Sequence, residues 1–147
     1  MKTSVTKKMV IGFCLMTILA SVFSQTNNMK TITVEIHHVV VNGGTVHVSV
    51  HLSEAAYKNK QPEKTLTCEP VGSVVSAEIA VPVGECVVNV YQDRNGNGKC
   101  DNNLLGIPKE PVGITNWDGK GVPGSFNKLK VGITDKTQTI RINLYQL

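Results

Sequence analysis

The chain has 147 residues, with 15 Lys and Arg against 11 Asp and Glu. Lys2, Lys7 and Lys8 precede residue 24 and every acid follows it, so the remainder balances at 12 − 11 = +1. That near-neutral balance removes the basic footprint that nucleic-acid binding requires.

The three lysines, an apolar run over residues 9–20 and the small-residue stretch Ser21-Val22-Phe23-Ser24 have the order of a secretory signal peptide. The run is too short to cross a bilayer comfortably. Cys14, flanked by Phe13 and Leu15, lacks the small residues that precede a lipidated cysteine. The expected organisation is a signal peptide over residues 1–24 and one domain over residues 25–147, or 147 − 24 = 123 residues, with no transmembrane segment. The expected location is secreted or periplasmic. Cys68, Cys86 and Cys100 remain, so at most one internal bridge forms, and spacing does not choose its members.

Along the rest of the chain the period is two. Ile32, Val34 and Ile36 alternate with polar residues, as do Val46, Val48, Val50 and Leu52 after Asn42-Gly43-Gly44. This predicts a first hairpin in which opposed residue numbers sum to 86. A helical turn is expected at residues 54–57, and a short strand at residues 65–68. Val75, Ala77, Ile79 and Val81 mark a further strand, closed by Pro82-Val83-Gly84. Residues 86–91 form a strongly apolar strand in which Cys86 keeps phase with Val88 and Val90, placing its side chain in the core. Residues 102–125, rich in Gly, Pro and Asn, read as a long ordered loop, and residues 126–133 and 139–144 as the last two strands. About seven short strands joined by turns predict an all-β fold, an antiparallel immunoglobulin-like or transthyretin-like β-sandwich, with a small barrel as the alternative.

The chemistry concentrates in residues 93–101. Asp93, Asn95 and Asn97 place oxygen-bearing side chains at alternate positions, Gly98 permits a tight turn, the Lys99 carbonyl follows, and Asp101 adds a second carboxylate. These match positions 1, 3, 5, 6, 7 and 9 of a calcium loop. Leu104 stands where a closing Glu is usual, which leaves Glu110 as the nearest further carboxylate. The expected cofactor is calcium, bound weakly at roughly 10⁻⁴–10⁻³ M. The alternative is a turn whose two Asn-Gly pairs supply positive φ.

Residues 91–99, then Asp101, residues 105–111, Gly113, Asn116, Pro123, Ser125 and Phe126, resemble an exported bacterial family known only as domain of unknown function 2141. The entry Val81-Pro82-Val83-Gly84 is similar as well, and the resemblance spans roughly residues 30–145. It implies a secreted or periplasmic β-sandwich and no activity. Cys100 departs from the family pattern.

Weaker signals complete the reading. On the predicted hairpin, His37, His47 and His51 lie on one wet face at diagonals of about 7–8 Å, within reach of a shared metal, although solvent-facing histidines are the commoner case. No activating context makes a nucleophile of any cysteine. Trp117 is either a stacking platform or a plug that seats its loop. The functional expectation is a non-enzymatic module with a protein or glycan partner at the cell envelope. The competing class is a small hydrolase using Asp93, Asp101 and Glu110 as acid and base groups.

Overall fold

The computed structural model describes residues 28–147. The signal peptide expected over residues 1–24 lies outside them. Among the described residues no helix is long and apolar enough to cross a membrane.

The alternation of Val and Ile becomes two packed sheets. Strands β1 (Met29–His37), β4 (Val74–Pro82) and β8 (Thr139–Asn143) form one sheet in the order β4-β1-β8. Strands β2 (Thr45–His51), β3 (Lys64–Cys68), β5 (Gly84–Asp93) and β6 (Val112–Ile114) form the other in the order β3-β2-β5-β6, and β7 (Val131–Ile133) adds to the far end of β5. Ile32, Val34, Ile36, Ile79, Val81, Ile140 and Ile142 from the first sheet meet Val46, Val48, Val50, Cys86, Val88 and Val90 from the second in one buried cluster. Every second residue turns inward, as a half-buried strand requires. The all-β sandwich is therefore the fold, and Cys86 is in its core as its phase predicts.

The predicted first hairpin does not form. β1 pairs with β4 antiparallel and with β8 parallel, whereas β2 pairs with β3 and β5. The chain crosses from one sheet to the other through residues 38–44. Two inward-facing apolar sets can meet across a sandwich as well as side by side, and the period alone does not separate the two. Buried Gln92 seats the crossover, accepting from Val40 N–H at 2.9 Å and donating to the Val40 and Gly44 carbonyls at 2.7 and 3.2 Å. Gly44 permits the close approach: its φ is +94°, and a Cβ there would meet the Asp93 carbonyl oxygen at 1.9 Å.

The histidines separate with the sheets. His37 lies opposite Val74 and Asn143, while His47 and His51 lie on the outer face of the five-stranded sheet opposite Tyr91 and Val87. The shared histidine metal site is thereby excluded. Residues 126–133 are not one strand: Phe126–Leu129 form a helical turn (α2) before β7, because Phe126 and Leu129 reach the same apolar cluster at helical spacing. The long loop contains the short strand β6, whose small Gly113 fits against the Asn143 carbonyl of β8. The turn expected near residue 54 is a helix, α1 (Glu54–Lys58), capped by the Ser53 hydroxyl accepting from Ala56 N–H at 3.1 Å. Cys68, Cys86 and Cys100 are all free thiols.

Candidate functional site

At the end of β5 the chain leaves the sheet and returns at β6, after residues 94–111. Asp93, the last residue of β5, is 2% exposed. Its Oδ1 accepts from Gly96 N–H at 2.8 Å and Asn97 N–H at 3.2 Å, and its Oδ2 accepts from Gly98 N–H at 2.6 Å. Gly96 and Gly98 have φ of +73° and +74°, the conformations that aim these amides back at the carboxylate. Burial opposes ionisation of Asp93. The Gly98, Gly96 and Asn97 amides, with His47 nearby, outweigh it and hold the carboxyl below its usual range.

Glu110, 3% exposed, closes the excursion from its far end. Oε1 accepts from Arg94 N–H at 3.0 Å and Oε2 from Asp101 N–H at 3.2 Å, so one carboxylate ties the loop's entry to its exit. Asp101 is half-buried. Its Oδ2 accepts from the side-chain amides of Asn95 and Asn97 at 2.7 and 2.9 Å. The Oδ1 atoms of the same two asparagines accept from Asn97 N–H at 3.1 Å and Lys99 N–H at 2.9 Å. The six residues singled out by the sequence thus fold into one loop, but on two levels. Asp93 and Glu110 lie beneath it and hold backbone amides. Asn95, Asn97, Lys99 and Asp101 form its more exposed rim.

The sequence reading missed three contributors. His47 lies on β2 with Nε2 3.8 Å from Asp93 Oδ2, and its ring stacks on Tyr91 at 4.6 Å and 5°. Tyr91 donates its hydroxyl to the Gly98 carbonyl at 3.1 Å and thereby holds the loop down on the sheet. Gln92 fixes the neighbouring crossover. The His47 contact depends on the β2–β5 register, which the sequence did not supply. That register pairs Thr45 with Asp93 and His47 with Tyr91, so His47 reaches Asp93 along a diagonal.

Among the described residues no group of three or more His, Cys, Asp or Glu side chains is disposed to hold a metal ion. Any cation here would have to draw on amide and carbonyl oxygens beside the two aspartates. The Cys100 thiol is only half exposed, and burial, with Glu110 and Asp101 adding to it, pushes its pKa up to about 11. Cys86 stands at about 11 through burial. Neither thiol is activated as a nucleophile.

A comparison with protein families matches residues 34–141 to the family described as "Uncharacterized protein conserved in bacteria (DUF2141)". The chain belongs to the DUF2141 family. No curated protein and no solved structure matches it. The resemblance read from residues 91–126 is therefore real, and this DUF2141 chain inherits no activity from it.

Trp117 in this family member seats its loop. Its ring stands edge-on to Tyr145 at 5.7 Å, its Nε1 donates to the Lys120 carbonyl at 3.2 Å, and it packs beside Val87, Phe126 and Leu129.

Proposed function

We propose that this DUF2141 protein is an exported, non-catalytic binding or structural module of the cell envelope, and that its 93–101 loop takes a calcium ion. The observation that carries the calcium reading is the meeting of three side chains at the rim. The terminal amide atoms of Asn95 and Asn97 stand 2.7 and 2.9 Å from Asp101 Oδ2. Calcium–oxygen bonds of about 2.3–2.6 Å put neighbouring ligand oxygens at similar separations. Turning the two amides over would present oxygens to an ion in place of N–H groups, at the loss of two Asx-turn hydrogen bonds. Asp93 accepts three amide hydrogens, so its oxygens retain lone-pair capacity toward the rim. The Lys99 carbonyl is a further candidate ligand, and Glu110 braces the loop from beneath. The rim carries a single carboxylate, the half-exposed Asp101, which favours weak binding.

The same geometry argues against the hydrolase reading. Asp93 and Glu110 are buried and occupied by backbone amides, so using either as an acid or base would undo the loop. A protein or glycan partner remains the expected ligand class for the module.

Thermal denaturation in calcium and in chelator tests the cation. An ion that binds only the folded state stabilises it by about 2.7 kcal/mol at a hundredfold excess over its dissociation constant. The melting temperature should rise with millimolar calcium. Asp101→Ala should remove that rise, while Arg94→Ala should keep it. An unchanged melting temperature in both media would reduce the loop to a turn.

A further inference from the structure

The excursion carries a second feature beyond the calcium loop. Residues 102–108 form a small hairpin, bridged at Asn102 and Pro108. At its tip Leu104 is 105% exposed and Leu105 83% exposed, with Ile107 at 39% beside them. Adjacent large apolar residues fully in water on a built hairpin are a departure from scattered surface leucines. Among the described residues nothing packs over Leu104 or Leu105.

Much of the tip's backbone is paired within it, although among the described residues Leu104 N–H has no partner. Asn103 N–H donates to the Ile107 carbonyl at 2.8 Å, and Gly106 N–H donates to the Asn103 carbonyl at 3.0 Å. Asn103 Oδ1 accepts from Leu105 N–H at 2.9 Å and from Ile107 N–H at 3.0 Å. Four amides of a seven-residue tip are thus paired without water. Such pairing lowers the cost of moving the tip out of water, because fewer amides lose a partner.

The flanks have matching charge. Arg94, Lys99 and Lys109 are exposed, and among the described residues none is paired with a carboxylate. The acids of the same excursion are spent: Glu110 is buried on backbone amides and Asp101 holds two asparagine amides. Glu69, between β3 and β4 and beside Gly44, is an exposed acid near this end. A convex tip of this size also lacks the roughly 800 Å² and the surrounding rim that a protein partner needs.

We propose that the Leu104–Leu105 tip inserts into the interface of an anionic phospholipid bilayer, with Arg94, Lys99 and Lys109 held at the headgroups. The proposal goes beyond the binding-module reading by adding a lipid surface to its protein or glycan partner, and it does not depend on calcium filling the adjacent loop. Two short apolar side chains with basic neighbours give reversible attachment.

The test is sedimentation of the purified protein with vesicles rich in phosphatidylglycerol and with vesicles of phosphatidylcholine alone, in calcium and in chelator. The protein should pellet with the phosphatidylglycerol vesicles. The double variant Leu104→Ser/Leu105→Ser should weaken this by roughly tenfold or more for each leucine. Val122→Ser, exposed elsewhere on the surface, should leave it unchanged. In Leu104→Trp, bromine-labelled lipid should quench the new fluorescence well beyond that of Trp117. No pelleting in either medium, equal pelleting with phosphatidylcholine, or pelleting indifferent to the leucines would overturn the proposal. So would a dimer that the double variant dissolves while vesicles bind nothing. Binding that persists in chelator while calcium fails to raise the melting temperature would defeat the calcium reading and uphold this one.

Discussion

The helical corner and the 94–111 excursion both lie against the outer face of the five-stranded sheet, and they are held there by opposite means. At the corner, Val87 on β5 packs with Phe126 and Leu129 of α2, with Tyr57 of α1 and Trp117 at the margin. Apolar area removed from water supplies the attachment, and it is indifferent to direction. The excursion has no such cluster. Asp93 and Glu110 hold five backbone amides between them, and Tyr91 adds a hydroxyl to the Gly98 carbonyl. Polar clasps fix geometry closely but act locally, because each lost partner frees a half-buried amide of the loop without opening the apolar core.

That contrast is open to direct attack. Phe126→Ala should be the largest single loss, about 3–5 kcal/mol, since an aromatic anchor is removed from a small cluster that cannot collapse around the gap. Urea denaturation reads it, and the loop should stay intact until global unfolding. Glu110→Ala should cost about 2–3 kcal/mol by stranding the Arg94 and Asp101 amides. Its distinguishing mark is local: limited proteolysis should cut between residues 94 and 110 before the sandwich melts. Equal protection of that segment in variant and wild type would mean that Glu110 is not the clasp.

Acid sharpens the comparison further. The folded Asp93 carboxyl titrates below its usual range. Its contribution is then fully present above the ordinary aspartate value near 4 and is lost as pH falls through the lower folded value. In chelator, the melting-temperature gap between wild type and Asp93→Asn should be widest near neutrality and should shrink at the acid end. A gap that widens in acid would reverse the sign argued here. The smallest effect concerns the thiols. With both Cys86 and Cys100 titrating at about 11, native labelling of each should be slow at neutral pH. Glu110→Ala should speed Cys100 alone.

The sequence displayed faces more clearly than neighbours. Period two placed Ile32, Val34, Ile36, Val46, Val48 and Val50 inward correctly, because burial acts on each side chain where it stands. It did not reveal that β1 and β2 belong to different sheets, since either pairing buries the same residues. Phe126 and Leu129 misled for a related reason: an apolar pair at that spacing within a short run suits a strand's end as well as one helical turn. At the site, Asp93 and the asparagines were legible because a loop's own residues supply both donors and acceptors. Glu110 was visible as a nearby carboxylate, yet its duty was hidden, since its partners are backbone amides that every residue carries. His47 was invisible as a neighbour of Asp93, because the contact runs between strands that are 46 positions apart in sequence, 93 − 47.

The parallel pairing of β1 with β8 sets the order in which this molecule can be completed. Thr33 meets Thr139, a separation of 139 − 33 = 106 residues. The central strand of the three-stranded sheet therefore waits, with one flank open, until the last strand has been made and delivered. A nascent chain cannot close its own sandwich before β8 is made. Closure of so long a loop is also slow, and the half-built sheet presents an unpaired edge during the delay. Glu35 is a charge on that open flank of β1 until Arg141 of β8 joins it at 3.1 Å across the final seam.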